Sequence, residues 1–248
     1  MIEAWRAARG VLRSMRIYNA DRTHAAAMDR LYGGFIRRGD LAFDVGAHVG
    51  DRVACFRRLG ARVIAIEPQP ALAMSLRVRF GFRPGITIER AAVACAPGDI
   101  ELMVNVDNPT VSTASKDFIR AAEDASGWRE QRWTKSIRVR ATTLDALIAR
   151  YGEPSFIKID VEGFEAQALA GLTRPVAALS FEFTTIQRDV ALAALFRCEA
   201  LGYKRFNAAL GESQTLVHPE WVAARTLKQW FLALPYAANS GDVYARLA

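Results

Sequence analysis

Short apolar runs, each ending on an acid or a turn residue, alternate along this chain with stretches whose apolar residues recur every three to four positions. Leu41–Val45, Arg62–Ile66 and residues 155–159 are runs of the first kind, the mark of strands buried on both faces of a parallel sheet. Helices are predicted over residues 50–56, over 71–80 between Pro68, Pro70 and Gly81, Pro84, and over 143–150 with Thr142 or Thr143 as cap. Two more are predicted over 165–172 and over 190–201, closed by Gly202. Further strands are expected at 86–94, at 100–106 after the Pro97-Gly98-Asp99 turn, at 137–141 and at 177–183. Residues 203–207 and 243–247 should close the sheet as an antiparallel pair, separated by a helix over 221–234.

Before the first strand, residues 3–16 set arginines against Trp5, Val11, Leu12 and Met15, which suits an amphipathic helix. Residues 24–37 carry Met28, Leu31, Tyr32, Phe35 and Ile36 at helical spacing. The expected organisation is a helical extension over 1–38 packed on a single α/β domain over 39–248. Its most irregular part is a polar insertion near 107–136, with a short helix over 120–132. Irregular segments on α/β scaffolds often shape pockets, so Ser112 and Thr113 are the candidate acceptor contacts.

Composition narrows the class. Hydrophobic residues make up 51% of the 248 and charged residues 24%, the balance of a globular protein rather than a disordered one. Cys55, Cys95 and Cys198 lack metal-ligand or paired spacing, which suggests buried thiols in a reducing compartment. No apolar run reaches the roughly 18 residues of a membrane helix, and no secretory signal is visible. The expected location is the cytoplasm. The net charge of +7 is dense at Arg6, Arg9, Arg13, Arg16 and Arg22. No aromatic-studded basic run accompanies it, so it reads as solvated surface and no nucleic-acid partner is expected.

The chemistry gathers at the carboxyl ends of the predicted strands, where ligands of open α/β sheets bind. Asp44 is followed by Gly46 and Gly50, and Glu67 lies 23 positions after Asp44. That interval is close to the roughly 20 residues at which an acid meets ribose hydroxyls. Glycines at 46 and 50 would let backbone approach a ligand closely. A dinucleotide fingerprint needs a third glycine, which is missing. The acid ahead of the first glycine would repel a pyrophosphate but suits the cationic amino acid end of S-adenosylmethionine. Asp160 and Glu182 are predicted on the same rim, and four crowded acids imply a cationic visitor. Asp160 could instead cap a helix, and Glu162 and Glu165 could be first-turn acids favoured by the helix dipole. Lys158 reads equally as an ion-pair partner or a ligand contact. His48 reads as a backbone-positioning residue.

The segments DVGAHVGD (44–51), AIEPQP (65–70), TTLDAL (142–147), FIKIDVEGFEAQALAGL (156–172) and GDVYARL (241–247) resemble the FkbM-type methyltransferases. The resemblance implies a Rossmann-like class I methyltransferase fold, with a mostly parallel sheet, helices on both faces and an antiparallel C-terminal strand pair. It implies an S-adenosylmethionine-dependent enzyme that methylates hydroxyls of sugars or other small molecules. Carried across, Asp44, Gly46, Gly50 and Glu67 bind the cofactor and Asp160 sits beside the transferred methyl; Ala47, His48, Pro68 and Ala92 are further candidate cofactor contacts. His48 departs from the family pattern, where asparagine is common. Asp160 and Glu162 are the candidate proton acceptors. The same pair could hold Mg2+, the less favoured version. The rivals are a cofactor-binding protein without catalysis and a nicotinamide dehydrogenase. A nucleic-acid base methyltransferase fits poorly, because a two-acid loop stands where a base would stack.

Overall fold

In β1 (Leu41–Val45) all five residues are buried, and the strand pairs in parallel with β2 (Arg62–Ile66) and β7 (Phe156–Ile159). β2 continues to β3 (Ile86–Glu89) and β7 to β8 (Ala178–Thr184), again in parallel. β10 (Ser240–Arg246) then inserts antiparallel between β8 and β9 (Arg205–Leu210). The order across the sheet is β3-β2-β1-β7-β8-β10-β9, a doubly wound parallel sheet with the antiparallel closing pair expected. This is a computed structural model, and it describes Gly10 and residues 22–247. The helix predicted over 3–16 lies outside the described residues apart from Gly10.

Within residues 22–247 the α-helices are α1 (Arg22–Tyr32), α2 (Asp51–Arg58), α3 (Pro70–Phe80), α4 (Lys116–Asp124), α5 (Leu144–Tyr151), α6 (Glu165–Ala170), α7 (Arg188–Leu201) and α8 (Ala224–Ala233). Two differ from expectation for local reasons. α1 stops at Tyr32, ahead of Gly33 and Gly34, rather than running to 37. α4 begins at Lys116 rather than 120, because the Ser115 hydroxyl accepts the Phe118 N–H at 3.1 Å and fixes the first turn.

The run 86–94, expected as one strand, is two. β3 belongs to the central sheet, whereas β4 (Ala92–Val93) pairs in parallel with β6 (Lys135–Thr142) in a second sheet. There β6 also pairs antiparallel with β5 (Gly98–Val104). At the end of β3, Glu89 is held by Arg150 and Tyr151, and the chain then passes to the second sheet. The change of partner falls at Glu89 and Arg90, the charged pair that interrupts the run.

The two faces of the central sheet are covered differently. Leu41, Phe43, Val45, Ile157, Ile159, Leu179 and Phe181 pack beneath α5, α6, α7 and α8. The opposite face presents Ala42, Phe156, Ala178 and Tyr244 to Met28 and Tyr32 of α1, Val53 and Phe56 of α2, and Leu76 and Phe80 of α3. Tyr32 is wholly buried there, its ring edge-on to Phe56 at 5.1 Å.

Side chains two apart on a strand share a face. From Ala42, Phe156, Ala178 and Tyr244, that face therefore continues to Asp44, Lys158 and Asp160, Ser180 and Glu182, and Asp242. The register aligns Asp44 with Lys158, Lys158 with Ser180, and Glu182 with Asp242. One pleat face is thus apolar at one end and ionic at the carboxyl end of the parallel strands. Among the described residues no helix is long and apolar enough to cross a membrane.

Candidate active site

The turn after β1 is tied to the end of β2 by backbone bonds. Gly46 and Ala47 both donate to the Ile66 carbonyl, at 2.9 and 3.0 Å. Glu67 then accepts the His48 N–H at 3.0 Å on one oxygen and the Gln69 N–H at 2.8 Å on the other. Burial, relieved in part by these two bonds, raises Glu67 to about 8. His48 is driven down to about 4 by burial, so it is a neutral ring, with Nε2 3.3 Å from the Thr110 hydroxyl.

The two glycines of the turn answer to the protein's own packing as much as to any ligand. Both have positive φ, 82° and 81°. A β-carbon on Gly46 would lie 1.7 Å from the Asp160 carbonyl oxygen, and one on Gly50 would meet the Phe80 ring at 2.5 Å. Gly46 lets the ends of β1 and β7 close on each other, while Gly50 seats α2 against α3. Gly46→Ala is therefore expected to cost about 2–4 kcal/mol, from left-handed strain plus overpacking, read as a shift in urea-unfolding midpoint.

Above the turn opens a cleft with about 1010 Å³ of empty space. Asp44, Gly46, Ala47, His48, Glu67, Pro68, Ala92, Ser112, Asp160 and Glu162 all line it. Gly50 and Thr113 do not. Asp44 is 3% exposed, and its Oδ2 has no partner among the described residues. Burial, then the charge of Asp51, raises it to about 7. Arg52, missed in the sequence because an arginine on a first helical turn reads as surface, is buried beside Asp51 and bonds both it and Glu212.

Ser112 and Thr113 turn their hydroxyls inward. Ser112 Oγ accepts the Asn105 N–H and donates to Gln69 Oε1 at 3.3 Å. Gln69 Nε2 donates to the Pro109 carbonyl at 3.0 Å. Thr113 is fully buried and donates to the Glu162 carbonyl at 2.6 Å. The insertion is thus pinned at two points, one on each side of the cleft, and Thr113 fixes the backbone of Glu162 at a positive φ of 55°.

A second cleft, with about 1050 Å³ of empty space, adjoins the first and shares Arg52, Thr110, Asp160, Glu162, Glu182 and Glu212 with it. Trp128, Asp107, Asn108 and Asn239 add its outer wall. Lys158 is wholly buried below the boundary and donates to Asp160 at 3.1 Å and Asp242 at 2.8 Å. Burial favours the neutral form of Asp160. Lys158, Arg52 and hydrogen bonds from Lys158 and Glu182 outweigh that and hold it below the ordinary carboxylate range. Glu162 and Glu182 go the other way: burial, then the charge of Asp160, lifts both well above the usual value. Glu165 Oε1 accepts from the Val161 and Gly163 N–H groups at 3.1 and 3.2 Å and so closes the turn after β7. Of the four rim acids, Glu182 lies inside β8 rather than at its end, yet all four line the first cleft.

These pKa directions predict how stability varies with pH when the cleft holds no ligand. Asp44 and Glu165, at about 7, and Glu67, at about 8, bind protons more tightly folded than unfolded. Their contribution is complete below the unfolded carboxyl values and is lost as pH rises through 7 to 8. His48 opposes this only between about 4 and its ordinary 6.5, and Asp51 and Asp160, held low, change only in acid. Between pH 6.5 and 8 the melting temperature should therefore fall, by up to about 1.4 kcal/mol of stability per pH unit for each proton. Thermal unfolding across that range checks it; a flat or rising curve contradicts the burial of these acids.

Residues 44–215, more than half of the chain, match the family model described as the methyltransferase FkbM domain. A curated relative, the hexuronic acid methyltransferase AglP of Haloferax volcanii, is 26% identical over 154 residues, covering 61% of this chain and 57% of that protein. The chain thus spans little more than half the length of the curated relative it matches. Among solved structures, a TehB-like S-adenosylmethionine-dependent methyltransferase from Corynebacterium glutamicum aligns over 95% of this chain and 93% of its own, at 13% identity and a TM-score of 0.49. Aeropyrum pernix fibrillarin, solved with natively bound S-adenosylmethionine, covers 89% of this chain and 73% of its own at 9% identity and a TM-score of 0.46.

Proposed function

The chain belongs to the methyltransferase FkbM family, whose methyl donor is S-adenosylmethionine, and from that premise we propose that it methylates a hydroxyl of a sugar or other small-molecule acceptor. The observation that carries this reading is the pair of adjoining clefts that share Asp160, Glu162 and Glu182 at their boundary. One cleft has the character of a donor cradle. The other is lined by acids, amides, hydroxyls and one indole, groups that suit a polyhydroxylated ring. The name of the AglP relative, a hexuronic acid methyltransferase, supports a carbohydrate acceptor.

The residues present fit the donor. The unpartnered Oδ2 of Asp44 suits an ammonium group, and Glu67 keeps lone pairs for ribose hydroxyls beside its two backbone bonds. Ala92 and Leu102 give the cleft an apolar wall. When bound, the donor supplies an electrophilic methyl on a sulfonium. The protein must hold the acceptor oxygen in line with it, and such positioning supplies roughly 7–11 kcal/mol. Asp160, held in its ionised form, stands at the boundary where the hydroxyl must lose its proton and is the acceptor, with Glu162 beside it as the alternative.

The test is calorimetry with S-adenosylmethionine and S-adenosylhomocysteine, followed by incubation of the donor with a panel of free sugars, glycosides and uronates. Saturable binding of both, with S-adenosylhomocysteine accumulating for a hydroxylated acceptor, is the expected result. No heat with either compound sinks the reading; heat without turnover on any hydroxyl acceptor leaves a binding protein. Asp44→Asn should weaken donor affinity by about tenfold or more, the worth of one charge-assisted bond of 1.5–3 kcal/mol.

A further inference from the structure

The boundary between the two clefts carries more negative charge than the described residues neutralise. One carboxylate oxygen each from Asp160, Glu162 and Glu182 lie within 4.8 Å of one another. Asp242 stands beside Glu182 in the strand register. Against these acids the described residues offer Lys158, already committed to Asp160 and Asp242, and Arg52, already committed to Asp51 and Glu212.

Two further observations mark acceptors in the cluster that no described residue satisfies. Glu162 is 7% exposed, and no hydrogen bond or ion pair from a described residue reaches its carboxylate. Glu182 Oε2 is sealed from solvent and has no partner among the described residues. Both side chains line the two clefts. Buried acceptors of this kind are almost always paired with a donor or a cation.

The geometry points to a divalent-cation site formed by Asp160, Glu162 and Glu182, which holds Mg2+, Mn2+ or Ca2+ where the acceptor hydroxyl enters. The inference rests on the acceptor reading above and extends it. Three carboxylate oxygens without histidine or cysteine select a hard cation over zinc or copper. Asp160 is anchored beside the cluster by the Lys158 ammonium, which donates to its Oδ2. Because the three acids face both clefts, an acceptor hydroxyl can complete the ion's shell, and its own pKa falls there, easing the loss of its proton to the cluster.

The experiment is titration of metal-stripped protein with Mn2+ alone, without donor or acceptor, following free Mn2+ by electron paramagnetic resonance, with Mg2+ and Ca2+ as competitors. One saturable equivalent is expected. Glu162→Gln and Glu182→Gln should each weaken it at least tenfold, about 1.4 kcal/mol, while Glu101→Gln on exposed β5 leaves it unchanged. Thermal unfolding of each variant shows that it is folded; should one fail to fold, the other carries the test. No saturable binding up to about 10 mM, beyond even the weak extracellular calcium modules, overturns the site, as does binding undiminished in both glutamine variants. Donor binding is measured separately by calorimetry. Lost Mn2+ binding with intact donor binding removes this site alone, and the reverse removes the methyl-transfer reading alone.

Discussion

Asp160→Asn is expected to lower methyl transfer by about 10²–10⁴-fold, the usual contribution of a positioned proton acceptor, while donor affinity stays within about threefold. The two side chains are nearly the same shape, so the backbone around residue 160 should hold. Its carbonyl lies against Gly46, its N–H donates to Val45 at 3.0 Å, and an amide oxygen can still accept from Lys158. What asparagine lacks is the negative charge that Lys158 and Arg52 maintain at this position. Single-turnover formation of S-adenosylhomocysteine, measured beside calorimetric donor affinity, separates the roles. Unchanged turnover removes Asp160 from the chemistry, and a parallel collapse of donor affinity assigns it to the cradle instead.

What could be read in the sequence was local. Asp44, Gly46 and Glu67 sit where a strand meets a turn, and both the apolar run and the spacing of the acids survive in one dimension. Asp160 and Glu162 stood out for the same reason. The purpose of the glycines was less visible. Gly46 looked like room for a ligand, whereas its missing β-carbon makes room for the Asp160 carbonyl, on a strand more than a hundred residues away. Lys158 stayed ambiguous because only the register of β7, β8 and β10 shows which face it shares. Asp242 closes the lysine's shell from the last strand of the sheet, and Glu212 holds Arg52 from the far side of the cleft. Neither pairing has a local signal. Thr113 looked like a substrate hydroxyl because polar residues in an irregular segment invite that reading. The bridge between Met103 and Thr113 turns it inward onto Glu162.

Lys158→Met tests whether the ionic end of that pleat face is a single network. Lysine at this position is fully buried between Asp160 and Asp242, and methionine matches its length without its charge. Removing one partner from a buried ionic group leaves the other charges uncompensated, at a cost of about 3–5 kcal/mol. The pH dependence of that loss is the sharper prediction. Lys158 itself is held well above its ordinary value by Asp160 and Asp242 against burial, so its contribution persists until pH rises past that raised value, outside any working range. Any dependence near neutrality must therefore come from the acids around it. Glu162 and Glu182 are lifted by burial and by Asp160, and each proton they take up as pH falls removes negative charge the lysine balances, so the lost ammonium matters less at lower pH. Urea unfolding of wild type and variant at about pH 5.5 and 7.5 should show the larger loss at the higher pH, by linkage between protonation and folding. Adding Asp242→Asn should recover part of the deficit, because it removes a charge the lysine had been balancing. Equal losses at both pH values, with no recovery in the double variant, would mean that Lys158 acts by filling space, and the acids at the cleft boundary would then have to be balanced from elsewhere.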